Sequence, residues 1–179
     1  MSQFVPQDIC ASSASWEGVP NYGLALECDE DTRAAIANLL AAQPDGLRSL
    51  NPTMYQPLRF RPFAVSIVAK APTPAESGDG QLSGWAQAWM KRMVALRNPA
   101  DLSPPLALPL VRVVGHDWLV SWAWLEVASG RNVLVYMGEV RVGDTRTVLG
   151  AYKVLTLIQR LAHWATVNFR AWFDDVLTC

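Results

Sequence analysis

Three apolar, strand-like segments follow one another between residues 108 and 142, and they restrict the chain's folding more than any other feature. Leu108–Gly115, Trp118–Val127 and Asn132–Val142 are each short, rich in β-branched and aromatic residues, and bounded by turn chemistry. His116-Asp117 and Ser129-Gly130 sit where hairpin turns are needed, so the three segments read as antiparallel strands. Gly143-Asp144-Thr145 then supplies a turn and a helix cap, and the last helix is expected from about Thr147 to Val176.

Upstream, Val19–Leu26 reads as a short strand. Asp31–Ala42 reads as a helix, with Asp29 or Asp31 near its start and Pro44 beyond its end. Phe60–Lys70 alternates as a strand, placing Ala64, Ser66, Val68 and Lys70 on one face and Val65, Ile67 and Ala69 on the other. Residues 71–80 form a Pro-, Gly- and Ser-rich loop with the composition of a lid, and Gln81–Arg97 has helical periodicity. The order strand, helix, strand, helix, three strands, long helix implies a mixed α/β (α+β) fold with a central mixed sheet flanked by helices. With 179 residues, 51% of them apolar, one domain over 19–179 is expected, preceded by an N-terminal extension at 1–18.

Fifteen Lys plus Arg balance sixteen Asp plus Glu, so there is no general basic field to draw in a phosphate backbone, and no nucleic-acid partner is expected. Lys91, Arg92 and Arg97 read as a solvated helix face. Cys10, Cys28 and Cys179 are odd in number and lack metal-type spacing, which suits free thiols and a cytoplasmic location. MSQFVPQDIC has neither a basic n-region nor an apolar h-region, so no secretory signal is expected. The chain's longest apolar stretch, 106–127, is broken by Pro109, Arg112, His116, Asp117 and Glu126, so no membrane span is expected. His163 has no second ligand at metal spacing.

Four strings, LRFRPFAVSIVAK (58–70), QLSGWAQAWMKRM (81–93), LPLVRVVGHDW (108–118) and VGDTRTVLGAYKVL (142–155), occur in the order and with the gaps of a known family. Together they make the chain resemble the fungal PD-(D/E)XK nuclease-like family from about Val19 to Leu177. The resemblance implies a nuclease core in which an Asp on one strand and a Glu-x-Lys on the next hold a divalent cation. The position similar to the Asp is Asn21, and the position similar to the Glu is Val68, leaving Lys70 alone of the motif. Hard cations need oxygen ligands with carboxylate charge, which Val68 cannot give and Asn21 gives poorly, so no metal and no other cofactor is expected.

Lys70 is either a strand-end lysine in water or a pocket residue that donates hydrogen bonds to a ligand carbonyl. Gln81 and Trp85 share a helix face with the Gln-x-x-x-aromatic spacing of some relatives, and read as site residues or as a surface Gln and a core Trp. Trp118, Trp122 and Trp124 lie on one strand face, where Leu157, Leu161, Trp164 and Phe169 of the last helix are the natural cover.

Two readings of function are drawn from these residues, and a third stays beside them. The first is a metal-independent enzyme on a reused nuclease fold, binding a largely apolar small organic substrate and promoting its cyclisation or isomerisation. Lys70, Asn21 and Gln81 would be catalytic, and Ser66, Val68 and Trp85 would touch the substrate. Fungal natural-product biosynthesis enters by analogy with the resemblance. The second is a non-catalytic interaction module, and the third a metal-dependent nuclease or nucleic-acid-binding protein using other ligands.

Overall fold

The computed structural model describes residues 2–4, 20–53, 55–72, 79–96, 106–128 and 131–178. In chain order the elements are β1 (Ser2–Phe4), β2 (Tyr22–Ala25), α1 (Glu30–Ala41), β3 (Phe63–Lys70), α2 (Asp79–Leu96), β4 (Leu108–Val114), β5 (Asp117–Ala128), β6 (Arg131–Asp144), α3 (Val148–Trp164), a π-helical turn (Ala165–Phe169) and α4 (Arg170–Thr178). The six strands form one sheet in the order β1-β6-β5-β4-β3-β2. Only the β3–β4 pair is parallel; the other pairs are antiparallel, as expected for the three downstream segments. The parallel pair is joined through α2, as a crossover connection requires.

Local chemistry accounts for most element ends. Asp29 caps α1, accepting from Thr32 N at 2.8 Å. Thr147 caps α3, accepting from Gly150 N at 2.9 Å, while Asp144 Oδ1 accepts from Thr147 N at 2.9 Å and Arg146 N at 3.0 Å. The β4–β5 turn falls one residue earlier than expected, on Gly115 and His116, because Gly115 supplies the positive φ of 58° that a tight hairpin needs; Asp117 already belongs to β5. The last helix is interrupted by a π-helical turn where one unbroken run was expected. Ser2–Phe4, within the stretch read as an extension, pairs with Leu134–Tyr136 of β6. Residues 73–78 of the lid-like loop, Ser129-Gly130, Arg97, Cys10 and Cys179 lie outside the described residues.

In-register neighbours share a sheet face. One face therefore carries the row Ile67, Val111, Val120 and the row Ala69, Val113, Trp118, Gly143. α3 lies on it: a Cβ at Gly143 would come within 2.7 Å of Gly150 O and 3.2 Å of a Val154 methyl, and Trp122 meets Trp164 edge-on at 6.4 Å. Phe169 and Phe173 are fully buried, and Phe169 packs at a tilt against Trp89, Trp164 and Trp172 with ring centroids 5.6–6.0 Å apart. This bears out the last helix as the cover of Trp122. β5 is irregular at Trp118/Leu119 and Val120/Trp122, and Trp124 is half-buried, its indole N–H donating to Glu126.

The opposite face carries Ser66, Val68 and Lys70. Gly23 pairs with Ser66 on it, and a Cβ there would run into the Phe63 ring at 1.9 Å, so Phe63 packs over the β2 backbone on this side. Trp85 of α2 meets Phe63 edge-on at 6.0 Å, which lays α2 over the face. Among the described residues no helix is long and apolar enough to cross a membrane. One expectation fails: Arg92 is not on a solvated face. It is buried against the loop before β3, donating to Ser49 O at 2.8 Å and to Leu47 O, because α2 packs on a loop whose carbonyls answer its guanidinium. Burial pulls its pKa down from the ordinary arginine value.

Candidate functional site

β3 lies between β2 and β4, and its alternation sends Ser66, Val68 and Lys70 to the α2 side. Ser66 and Val68 are fully buried, and Lys70, the last residue of the strand, is half-buried. Its carbonyl accepts from Gly115 N at 3.0 Å, so the β4–β5 turn fixes the end of β3. Ser66 Oγ is buried with no hydrogen-bond partner, as is the indole N–H of Trp85. Gln81 is half-buried in the first turns of α2, and Trp85 follows one turn later, deep in the core.

Asn21 stands just before β2 and is exposed. Its side-chain oxygen accepts from Ala69 N at 2.9 Å, tying the start of β2 to the end of β3. The atom that could best serve a cation is thus already engaged with backbone. The six candidate residues thus occupy β3, the entry to β2 and the overlying helix: Val68 lies between Ser66 and Lys70, and Trp85 backs the Phe63 end.

Two polar groupings on the same face were not foreseen. Val68 is in register with Arg112 and Ser66 with Leu110, which pairs in turn with Ser121. Arg112 Nε donates to Glu139 Oε1 at 2.6 Å and its Nη2 donates to Oε2, a two-pronged pair with side chains only 14% and 18% exposed. Beside it, Tyr136 OH donates to Ser121 Oγ at 2.6 Å. The available signal was a charge at an alternating position inside an apolar strand, Arg112 after Leu108 and Leu110, but the partner on β6 depends on pairing that one strand does not reveal.

These facts decide the fit of a divalent cation. The position implied for a carboxylate holds the buried side chain of Val68, in register with Arg112, whose guanidinium is directed to Glu139 on β6. Glu139 is taken up by Arg112, and Asp117 by Arg141 at 2.8 Å and by Arg146 at 2.5 Å. Among the described residues no three His, Cys, Asp or Glu side chains gather as a ligand set. The donors present do not suit a hard cation. Elsewhere, hydrogen bonds from the Thr147 backbone hold Asp144 below the usual carboxylate range, the Thr32 side chain does the same for Asp29, and burial pushes the Cys28 thiol up.

A family model described as the PD-(D/E)XK nuclease superfamily matches residues 3–170. No curated protein and no solved structure matches the chain significantly.

Proposed function

The chain belongs to the PD-(D/E)XK nuclease superfamily, and from that premise we propose that it is a member emptied of its metal. In this reading it is a metal-independent enzyme that holds a largely apolar small organic molecule and promotes its cyclisation or isomerisation. The observation that carries the reading is the burial of Val68, which stands where the resemblance implies a carboxylate ligand. A face that would hold a cation through anionic groups instead carries an apolar side chain beside the ammonium of Lys70, a donor that suits a carbonyl gaining negative charge, while Arg112 is neutralised by Glu139.

Lys70 is the electrophilic donor to that carbonyl. Asn21 and Gln81 supply neutral hydrogen-bonding groups at its rim, and Ser66, Val68 and Trp85 form the backing against which the apolar part of the substrate rests. The setting we propose is cytoplasmic small-molecule biosynthesis in a fungus. An untargeted comparison of metabolites with and without the gene product identifies the substrate. With it in hand, Lys70→Ala is expected to fold normally and to lose turnover equivalent to about 2–4 kcal/mol of barrier. Lys70→Arg recovers little, since a planar fork does not replace a compact ammonium, and Lys91→Ala is nearly silent. Wild-type turnover by Lys70→Ala removes this residue from the mechanism, and metal-dependent cutting of linear or supercoiled DNA refutes the whole reading.

A second reading, a non-catalytic interaction module, is favoured by one feature. Val148, Leu149, Tyr152 and Leu155 expose an apolar stripe on α3, each at 49–76% of its free surface.

A further inference from the structure

A groove of about 440 Å³ lies away from Lys70, lined by Arg33, Ala34 and Ala37 of α1 and by Pro57, Phe60 and Arg61 ahead of β3. Its volume falls within the roughly 300–1,000 Å³ of small-molecule sites. Its floor is apolar and its walls carry two guanidinium groups. Both reach the same oxygen: Arg33 Nη2 donates to Glu27 Oε1 at 2.9 Å, and Arg61 Nη2 to that atom at 3.4 Å. Two full charges thus share one carboxylate. All three side chains are about half exposed or more, so the pairings are weak and exchangeable. Each guanidinium has five N–H donors, and one shared carboxylate oxygen leaves most of them unused. Arg59, which does not line the groove, lies over the Phe60 ring at 5.0 Å with its Nε donating to Arg48 O.

We propose that this groove binds a small organic anion, its carboxylate or phosphate head between Arg33 and Arg61 and its flat apolar body on Ala34, Ala37, Pro57 and Phe60. Glu27 is the built-in competitor, occupying the guanidinium groups until a ligand that can engage both displaces it. A polyanion fits less well than a small one. Asp29, Glu30 and Asp31 crowd the start of the same helix and repel a backbone of repeated phosphates. The site stands whether or not Lys70 is catalytic, since none of the residues assigned to that site lines it.

The test titrates the full chain with the fluorescent aromatic sulfonate 8-anilinonaphthalene-1-sulfonate. Displacement is then measured with 1-naphthyl phosphate, 1-naphthoate, neutral 1-naphthalenemethanol, inorganic phosphate and a thymidine oligonucleotide. One or both naphthyl anions should displace the probe, and the stronger of them identifies the head group. Arg33→Gln and Arg61→Gln should each weaken displacement about tenfold, since each removes a charge-assisted hydrogen bond. Glu27→Gln should strengthen it by removing the competitor, an effect that a purely structural role for these arginines does not give. Ala37→Glu, at an exposed helix position, places a carboxylate in the groove and should abolish binding even if an arginine variant fails to fold. Arg160→Gln, far along the chain on α3, should change nothing. Equal potency of the neutral naphthalene, of inorganic phosphate or of the oligonucleotide overturns the proposal, as does indifference to Arg33, Arg61 and Glu27.

Discussion

On the face that α3 covers, Trp122 meets Trp164, and Val111 and Val120 pack beneath them; on the face that α2 covers, alternate residues of the same strands are Ser66, Arg112, Ser121 and Lys70. Both faces exclude water over much of their area, yet only the second carries charges and hydroxyls into it. Stability needs apolar contact, and the α3 face is complete in that respect. The α2 face instead holds a guanidinium and hydroxyls, which are costly to bury, among them Ser66 Oγ with no partner; on the α3 face the indole N–H of Trp118 is likewise unpartnered. Such groups fit a face kept for chemistry better than one kept for stability.

The contrast is sharpest in substitutions. The largest expected loss is Phe169→Ala, which removes the ring at the centre of the aromatic cluster and should cost about 3–5 kcal/mol in denaturant unfolding. A loss under about 1 kcal/mol would mean that the α3 side closes some other way. Next comes Glu139→Gln, which strands the guanidinium of Arg112 in a mostly buried place and should cost about 2–3 kcal/mol. Replacing both partners, Arg112→Met with Glu139→Leu, should cost clearly less than the single change; an additive loss in the double variant would show that the pair contributes through packing alone. Ser66→Ala should be neutral within about 0.5 kcal/mol or slightly stabilising, because the hydroxyl it deletes is unsatisfied.

The smallest effect concerns pH. Hydrogen bonds from the Thr147 backbone hold Asp144 below its ordinary value, so its contribution is present above the unfolded carboxylate range and disappears as pH falls through the lower, folded value. Asp144→Asn should therefore lower the melting temperature near neutrality and converge with wild type in acid. Parallel melting curves at every pH would remove that cap from the stability of α3.

What the sequence made legible tracks how local each determinant is. The α1 cap, the three antiparallel strands, the helix after β3 and the α3 cover of Trp122 follow from short-range signals: Asp29 before a helical run, alternation, and bulky residues on one strand face. Arg92 was misplaced because helical spacing assigns it to a face without saying that the 47–49 loop packs there. Arg112–Glu139 and Ser121–Tyr136 span 27 and 15 residues, and their meeting depends on β5–β6 pairing with its irregularities. The groove at Arg33 and Arg61 was invisible for the same reason: it joins α1 to a turn that only the tertiary fold brings alongside.

The most direct measurement is a calorimetric titration of the full chain with Mn²⁺ and Mg²⁺, run on wild type and on Lys70→Ala. With Val68 buried at the position that the resemblance implies for a ligand carboxylate and Asn21 committed to Ala69 N, no stoichiometric site is expected, and the two proteins should give the same featureless heats. A tight one-to-one site in wild type, lost on changing Lys70 or Asn21, would contradict the central claim and restore the metal to this face.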